Sequence, residues 1–105
     1  MLRKNHCIIM IEFADKGTED IFNGINSKEA RKKLPTSLWI TARRKLDQID
    51  SVVNLSELKI PPGNRLELLT GEMKGKYSIR INIKYRICFV WNNNSPEMVE
   101  IVDYH

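Results

Sequence analysis

The residues best suited to chemistry stand together at the end of the sequence, which reads Asp103, Tyr104 and His105. The imidazole of His105 has a reference pKa of about 6.5, so it can accept or donate a proton near neutral pH. The carboxylate of Asp103 could orient a catalytic group or simply pair with an arginine of the sheet. The ring of Tyr104 could stack on an unpaired base, and its hydroxyl could donate to a phosphate. His105 is therefore the first candidate for proton transfer, with Asp103 and Tyr104 as candidates for orienting or binding beside it.

Cationic and acidic side chains on the predicted strands could complete such a site. Arg80 and Arg86 alternate with large apolar residues, so the two arginines would share the open face of the sheet if the apolar side chains pack on helices. Guanidinium groups bind phosphate bidentately and stay charged. Glu67 also lies on the polar side and could be a general base, with His105 as the general acid, although each could be an ordinary solvated residue. Three lysines would add diffuse attraction to a nucleic-acid backbone, namely Lys74, Lys76 and Lys84.

The composition is typical of one globular domain that has an anionic partner. A length of 105 residues fits a single domain over 1–105, and 42% hydrophobic with 29% charged residues argues against disorder of the whole chain. The 17 Lys and Arg residues exceed the 13 Asp and Glu residues, and this excess favours nucleic acid as a partner. Residues 1–9 are expected to be an extension or the lead-in to the first strand, because Met10 could be the functional start.

Several classes of protein are disfavoured by what the sequence lacks. The early apolar run of residues 7–11 is too short for a signal peptide or a membrane span, so a cytoplasmic protein with no membrane partner is expected. Cys7 and Cys88 are expected to be two reduced thiols. No set of His, Cys, Asp and Glu residues has metal-ligand spacing, so neither a metal ion nor a cofactor is expected.

The periodicity predicts an α+β fold, with an N-terminal strand and two helices packed on a mostly antiparallel sheet of four to five strands. Thr18 could cap a first helix over residues 17–26, and Thr36 or Ser37 could cap a second helix that ends near Asp50. The second helix should bury one apolar stripe, formed by Leu38, Ala42, Leu46 and Ile49. Strands are predicted at residues 8–13, 65–70, 77–84, 85–91 and 98–104.

Four blocks in the second half carry a resemblance to a known family. They read Pro-Pro-Gly-Asn-Arg-Leu-Glu at 61–67, Gly-Lys-Tyr-Ser-Ile-Arg-Ile-Asn at 75–82, Tyr-Arg-Ile-Cys-Phe at 85–89 and Val-Glu-Ile-Val-Asp-Tyr-His at 99–105. Phe-Ala-Asp-Lys at 13–16 and Ile-Phe-Asn-Gly at 21–24 fit more loosely, so the likeness spans nearly the whole chain from Met10. On these blocks the sequence resembles the HigB branch of the RelE/ParE superfamily, the toxins of bacterial toxin–antitoxin pairs.

The resemblance implies a microbial-ribonuclease-like fold and endonucleolytic cleavage of messenger RNA on the translating ribosome. It also implies a cognate helix-turn-helix antitoxin, HigA-like, which inhibits the toxin. Toxin and antitoxin together would repress their shared operon, so that operator DNA is bound only through the antitoxin.

The functional residues that the resemblance implies fall on four positions, namely Asp103, Tyr104, His105 and Arg86. The best-studied members of the family have a His and a Lys before the Gly turn, where this sequence has Glu67 and Thr70. That departure argues against a pair of histidines as acid and base in this protein.

RNA cleavage without a metal begins when the 2′-hydroxyl attacks the adjacent phosphorus. It needs one group to accept that proton, one to protonate the 5′-oxygen leaving group, and cations to stabilise the phosphorane. RNA supplies its own nucleophile, so no activated Ser or Cys is required.

Two alternatives stay open because a shared fold does not fix function. One is a ParE-like toxin that poisons DNA gyrase, and the other is a non-catalytic binding module that acts as a corepressor with its antitoxin.

The proposed role of His105 leads to a direct test by mutation. We expect His105→Ala, or deletion of His105, to abolish growth inhibition while the circular dichroism spectrum stays unchanged, because the acid-base group is lost and the core is not. Full-rate cleavage of messenger RNA by the shortened protein would show that the chemistry lies elsewhere.

Overall fold

Three helices precede an antiparallel sheet in the computed structural model, which describes residues 11–104. The helices are α1 (Lys16–Asn23), α2 (Lys28–Lys33) and α3 (Trp39–Ser51). The strands are β1 (Glu67–Leu68), β2 (Tyr77–Arg80), β3 (Tyr85–Asn92) and β4 (Ser95–Asp103). They form one four-stranded sheet in the order β1-β2-β3-β4, and every neighbouring pair is antiparallel. The predicted α+β class is therefore confirmed.

The hydrophobic core lies between the helices and one face of the sheet. The predicted stripe of α3 is buried at Ala42, Leu46 and Ile49. These side chains join Ile87 and Phe89 of β3 in one cluster of buried residues. Burying a side chain of this size contributes about 1.5–3 kcal/mol, so this layer fixes the sheet against α3. None of the helices within residues 11–104 is long and apolar enough to cross a bilayer.

The prediction for the first helix was wrong about its cap and its end. Asp15 is the N-cap, and its carboxylate accepts the backbone N–H of Thr18 at 2.7 Å. Thr18 itself is fully buried inside α1 and bonds to the sheet, because its hydroxyl oxygen accepts the N–H of Ile101 at 3.0 Å. The helix ends at Asn23, short of residue 26, because Gly24 adopts a left-handed φ of 77°.

The helix α2 was not predicted, so residues 11–104 contain three α-helices where the sequence indicated two. Its N-cap is Ser27, whose hydroxyl oxygen accepts the N–H of Ala30 at 3.0 Å. Ala30 is the one buried residue that α2 contributes. A helix of six residues with a single buried position has no apolar stripe, and periodicity cannot detect it.

The start of α3 also differs from its prediction. A 3₁₀ turn over Thr36–Leu38 leads into α3, and neither Thr36 nor Ser37 caps the helix with its side chain. The indole N–H of Trp39 donates to the carbonyl oxygen of Leu34 at 2.8 Å and fixes this junction.

The predicted N-terminal strand is only a single bridge within the described residues. Phe13 pairs with Val99 in parallel, and residues 8–10 of that prediction lie outside the described part of the chain.

The strands differ from their predicted lengths where polar side chains interrupt them. β2 ends at Arg80, four residues early, because the side chain of Asn82 accepts the N–H groups of Lys84 and Tyr85 at 2.9 and 2.8 Å. β4 begins at Ser95 because Asn93 and Asn94 both adopt positive φ and make a tight hairpin turn. β1 contains two residues of the predicted segment 65–70.

Replacing Thr18 by valine should weaken the link between α1 and β4. Valine keeps the shape but leaves the buried N–H of Ile101 without its acceptor, and an unsatisfied buried N–H costs about 1–3 kcal/mol. We expect the free energy of unfolding, measured in urea, to fall by about that amount. The exposed Thr36→Val is the control and should change it by no more than about 0.5 kcal/mol.

Candidate active site

The candidate site lies on the face of the sheet turned away from the core, called the outer face here. Directly paired residues of an antiparallel sheet project to the same side. Glu67 pairs with Ser78, and Ser78 pairs with Cys88. Arg80 pairs with Arg86, so the two arginines share this face as their alternation with apolar residues predicts.

Arg86 is the centre of the site, and it is only 6% exposed although an open position was expected. Its Nε donates to the hydroxyl oxygen of Ser78 at 2.7 Å, and its Nη2 donates to the carbonyl oxygen of Arg65 at 2.7 Å. Nη2 also lies 3.3 Å from Oε1 of Glu67. The ring of Tyr104 covers the group, with 5.0 Å between the ring centroid and the Arg86 Cζ. A buried charge is tolerated where it is paired and bonded in this way.

An irregular segment before β1 positions the carbonyl group of Arg65 next to the guanidinium of Arg86. Arg65 adopts a left-handed conformation, φ 48° and ψ 56°, directly after the 3₁₀ turn Pro62–Asn64. The buried side chain of Asn64 is tied to α3, because its amide nitrogen donates to Gln48 Oε1 at 3.0 Å and its oxygen accepts Lys45 Nζ at 2.7 Å. The helix and the irregular segment together therefore set the position of one partner of Arg86.

A groove of about 570 Å³ opens beside Arg86, between the segment that follows β1 and the end of β4. This volume falls in the range of about 300–1,000 Å³ that is typical of small-ligand sites. Glu67, 50% exposed, and Tyr104, 48% exposed, lie on its walls. Its other lining residues are Leu68, Leu69, Thr70, Glu72, Met73, Cys88, Val102 and Asp103.

Cys88 lines this groove but is not a nucleophile. Burial raises the pKa of its thiol to about 11, and the nearby charge of Arg86 offsets only part of that effect. The thiol is therefore protonated at neutral pH, and only the thiolate is strongly nucleophilic. Among the described residues Cys88 is a free, buried cysteine. Cys7 lies outside the described residues.

Asp103 and Lys84 lie together at the rim of the site. Asp103 lines the end of the groove, and its carboxylate lies 3.6 Å from Nζ of Lys84. Lys84 also lies 5.5 Å from the ring centroid of Tyr85. Its place in the groove is compatible with an orienting role, and the cation in this ion pair is a lysine where an arginine of the sheet was suggested.

None of the predicted cations is among the residues that line the groove, although Arg86 contacts two of those residues, Glu67 and Tyr104. The Nε of Arg80 donates to the carbonyl oxygen of Asn82 at 3.1 Å. Lys45 on α3, which was not a predicted site residue, has a lowered pKa, first because of burial and then because of the charges of Arg44 and Arg80. Lys74 and Lys76 follow the turn between β1 and β2, where Lys74 is exposed and Lys76 half-buried. Arg80 nevertheless lies close to the site, since it pairs with Arg86 across the two strands. His105 lies outside the described residues.

Two partners of Arg86 were missed from the sequence. Ser78 was visible only as a polar residue in alternation with isoleucines, and its closeness to Arg86 follows from strand register. The carbonyl group of Arg65 had no sequence signal, because its position depends on a left-handed backbone. Among residues 11–104 no three His, Cys, Asp or Glu side chains come together as a possible metal site.

Comparison with known proteins assigns the chain to a family. The family model described as RelE-like toxin of type II toxin-antitoxin system HigB matches residues 11–105. The chain belongs to this family. It is 40% identical to Toxin HigB-1 of Vibrio cholerae over 81 residues, and this aligned segment covers 77% of this chain and 82% of that protein. An uncharacterized protein of Haemophilus influenzae is 39% identical over 66 residues, 63% of this chain and 65% of that protein.

Solved structures of toxin–antitoxin complexes have the same fold as this toxin. A YoeB–YefM complex from Staphylococcus aureus matches with a TM-score of 0.53 over 94% of this chain and 99% of that chain, at 17% identity. A heterotetrameric YoeB–YefM complex from the same organism gives the same values. At this identity the likeness establishes the fold alone. By its family the protein is a RelE-like toxin of a type II toxin–antitoxin system. The guanidinium of Arg86 contacts a carboxylate and an aromatic ring that line its groove.

Proposed function

We propose that this toxin is a metal-independent endoribonuclease that cuts messenger RNA on the ribosome and so inhibits translation. The observation that carries the proposal is the buried guanidinium of Arg86, which contacts Glu67 and Tyr104, two residues that line the groove. A cation fixed in advance, with little water around it, stabilises developing negative charge without reorganisation. A scissile phosphate is the group in RNA that gains such charge.

The reaction is transesterification within the RNA. The 2′-oxygen bonds to the adjacent phosphorus, and Glu67 accepts the proton that the 2′-hydroxyl loses. The bond from phosphorus to the 5′-oxygen then breaks, and His105 donates a proton to that oxygen. The products are a 2′,3′-cyclic phosphate and a 5′-hydroxyl end. Arg86 stabilises the phosphorane between these two steps.

The location of Glu67 supports its role as the base. Its carboxylate is half-exposed and lies 3.3 Å from Nη2 of Arg86, so a phosphate bound to Arg86 would lie within reach of it. His105 directly follows Tyr104, whose ring covers Arg86. The half-exposed ring of Tyr104 offers a surface for an unpaired base, with Asp103 beside it as an orienting group. The surrounding cations Arg80, Lys74, Lys76 and Lys84 would add salt-sensitive attraction to the RNA backbone.

We also propose a HigA-like helix-turn-helix antitoxin as the partner that inhibits the toxin. The family description and the YoeB–YefM complexes support an antitoxin of some kind. The toxin would contact operator DNA only through this partner. The antitoxin and the ribosome, as partner and target of the toxin, would both place it in the cytoplasm.

Arg86 provides the main test of the proposal. We expect Arg86→Ala to lower the cleavage rate by about a hundred- to a thousandfold, the usual effect of removing one group that stabilises transition-state charge. Arg86→Lys should recover little, because lysine lacks the planar fork. The measurement is primer extension of messenger RNA 5′ ends after induction, with circular dichroism to check folding. Lys59→Ala removes one positive charge outside the groove and should leave cleavage unchanged.

Two outcomes would contradict the proposal. Arrest of DNA replication with unchanged messenger RNA ends would support a gyrase poison. Toxin that neither cuts RNA nor stops growth, yet represses its operon with the antitoxin, would support a binding module.

Glu67→Gln tests the assignment of the base. Glutamine keeps the shape but cannot accept the proton, so we expect kcat to fall by about 10²–10⁴-fold, measured in single turnover on ribosomes programmed with a defined message. An unchanged kcat together with tighter RNA binding would show that Glu67 only neutralises Arg86.

A further inference from the structure

The three contacts of the Arg86 guanidinium differ in how firmly they are held. Ser78 is 0% exposed on the inner strand β2, and the Arg65 carbonyl belongs to a segment fastened to α3. Both contacts measure 2.7 Å. Glu67 is 50% exposed on the edge strand β1, and its contact is longer at 3.3 Å. An exposed carboxylate can leave at little cost, whereas a buried hydroxyl cannot.

The two firm contacts use different nitrogens, and this determines the orientation of the group. A guanidinium is planar, so one bond from Nε and another from Nη2 fix both its position and the rotation of its plane. None of the contacts described here uses the third nitrogen, Nη1. Nη1, and Nη2 once Glu67 has left it, are therefore the atoms to which a phosphate can bind without disturbing the bonds to Ser78 and Arg65.

We propose that Ser78 is a positioning residue, whose hydroxyl holds the plane of Arg86 while RNA phosphate displaces Glu67. This rests on the proposed function, and it adds a residue that has no role in that mechanism. Glu67, once displaced from Nη2, is free to act as the base. Without the Ser78 hydroxyl, the buried Nε–H lacks an acceptor, and the guanidinium turns to recover a hydrogen bond.

The first experiment is a double-mutant cycle on ribosome-dependent cleavage. Ser78→Ala should lower kcat by about ten- to a hundredfold with little change in KM, because misplacing a catalytic group by about 1 Å has effects of that size. In an Arg86→Lys protein, which has no Nε–H to position, the same substitution should have no further effect. An equal loss in both proteins would overturn the proposal.

A matched control separates positioning from simple loss of stability. Ile79→Val removes one methylene from a fully buried side chain on the same strand, facing the core instead of Arg86. It should lower the melting temperature with kcat unchanged. If Ser78→Ala affects only the melting temperature in the same way, Ser78 has a structural role alone.

A second readout does not depend on activity. In protein labelled with nitrogen-15 on arginine, the Nε–H of Arg86 should exchange slowly with water, and Ser78→Ala should speed this exchange at least tenfold. Unchanged exchange would overturn the proposal. If the native toxin cleaves no RNA but its Arg86 Nε–H depends on Ser78, then the proposed function has failed and the positioning contact stands.

Discussion

A positive charge that is buried on a sheet must find its partners within the protein, and Arg86 meets this requirement in a way that organises the rest of the fold. Its guanidinium lies at 6% exposure, where water cannot supply enough hydrogen bonds. The partners come from four separate parts of the chain: the neighbouring strand β2, the edge strand β1, an irregular segment and the residue after the last strand. Each of those parts has to be in place before the charge can be accommodated. The site and the stability of the sheet are therefore linked.

The strand register places two arginines, Arg80 and Arg86, opposite each other, and their side chains bond to different partners. Arg80 lies directly opposite Arg86, and a pair of like charges at such positions is unfavourable. Arg86 is drawn to Ser78 and Glu67, whereas Arg80 bonds back to the carbonyl of Asn82. The two guanidinium groups thus use different partners, and only the Arg86 partners include a residue that lines the groove, Glu67.

The sequence predicted the structure where apolar side chains recur with a regular period, and it failed where the backbone departs from helix or strand. The stripe of α3 and the alternation in β3 were predicted, because burial on one face imposes a period on the residues. Helix α2 was missed since Ala30 is its one buried residue. The Arg65 carbonyl could not be predicted, because a left-handed φ at a non-glycine residue depends on contacts that hold it, here those of Asn64 with α3.

The residues of the candidate site also fall into two groups, those that the sequence predicted and those that only the structure revealed. Arg86, Glu67 and Tyr104 were identified from residue type, strand phase and family resemblance, and these three meet in the structure. The hydroxyl of Ser78 entered only with the register of β2 and β3. Long, exposed cations such as Lys74 have no fixed partner that a pattern could reveal, so sequence alone gives them only a general attraction to RNA.

The backbone beside β4 has a consequence for how copies of the toxin behave at high concentration. An uncovered edge strand presents a row of N–H and C=O groups that can pair with another chain. Here Glu12 exchanges bonds with this edge, since its N–H donates to Pro96 and its carbonyl accepts from Val99, and the N–H of Ala14 donates to Val99. The opposite edge, β1, is only two residues long. Self-association through either edge is thereby discouraged at these positions, which reduces the tendency of newly made toxin to aggregate before it meets a partner.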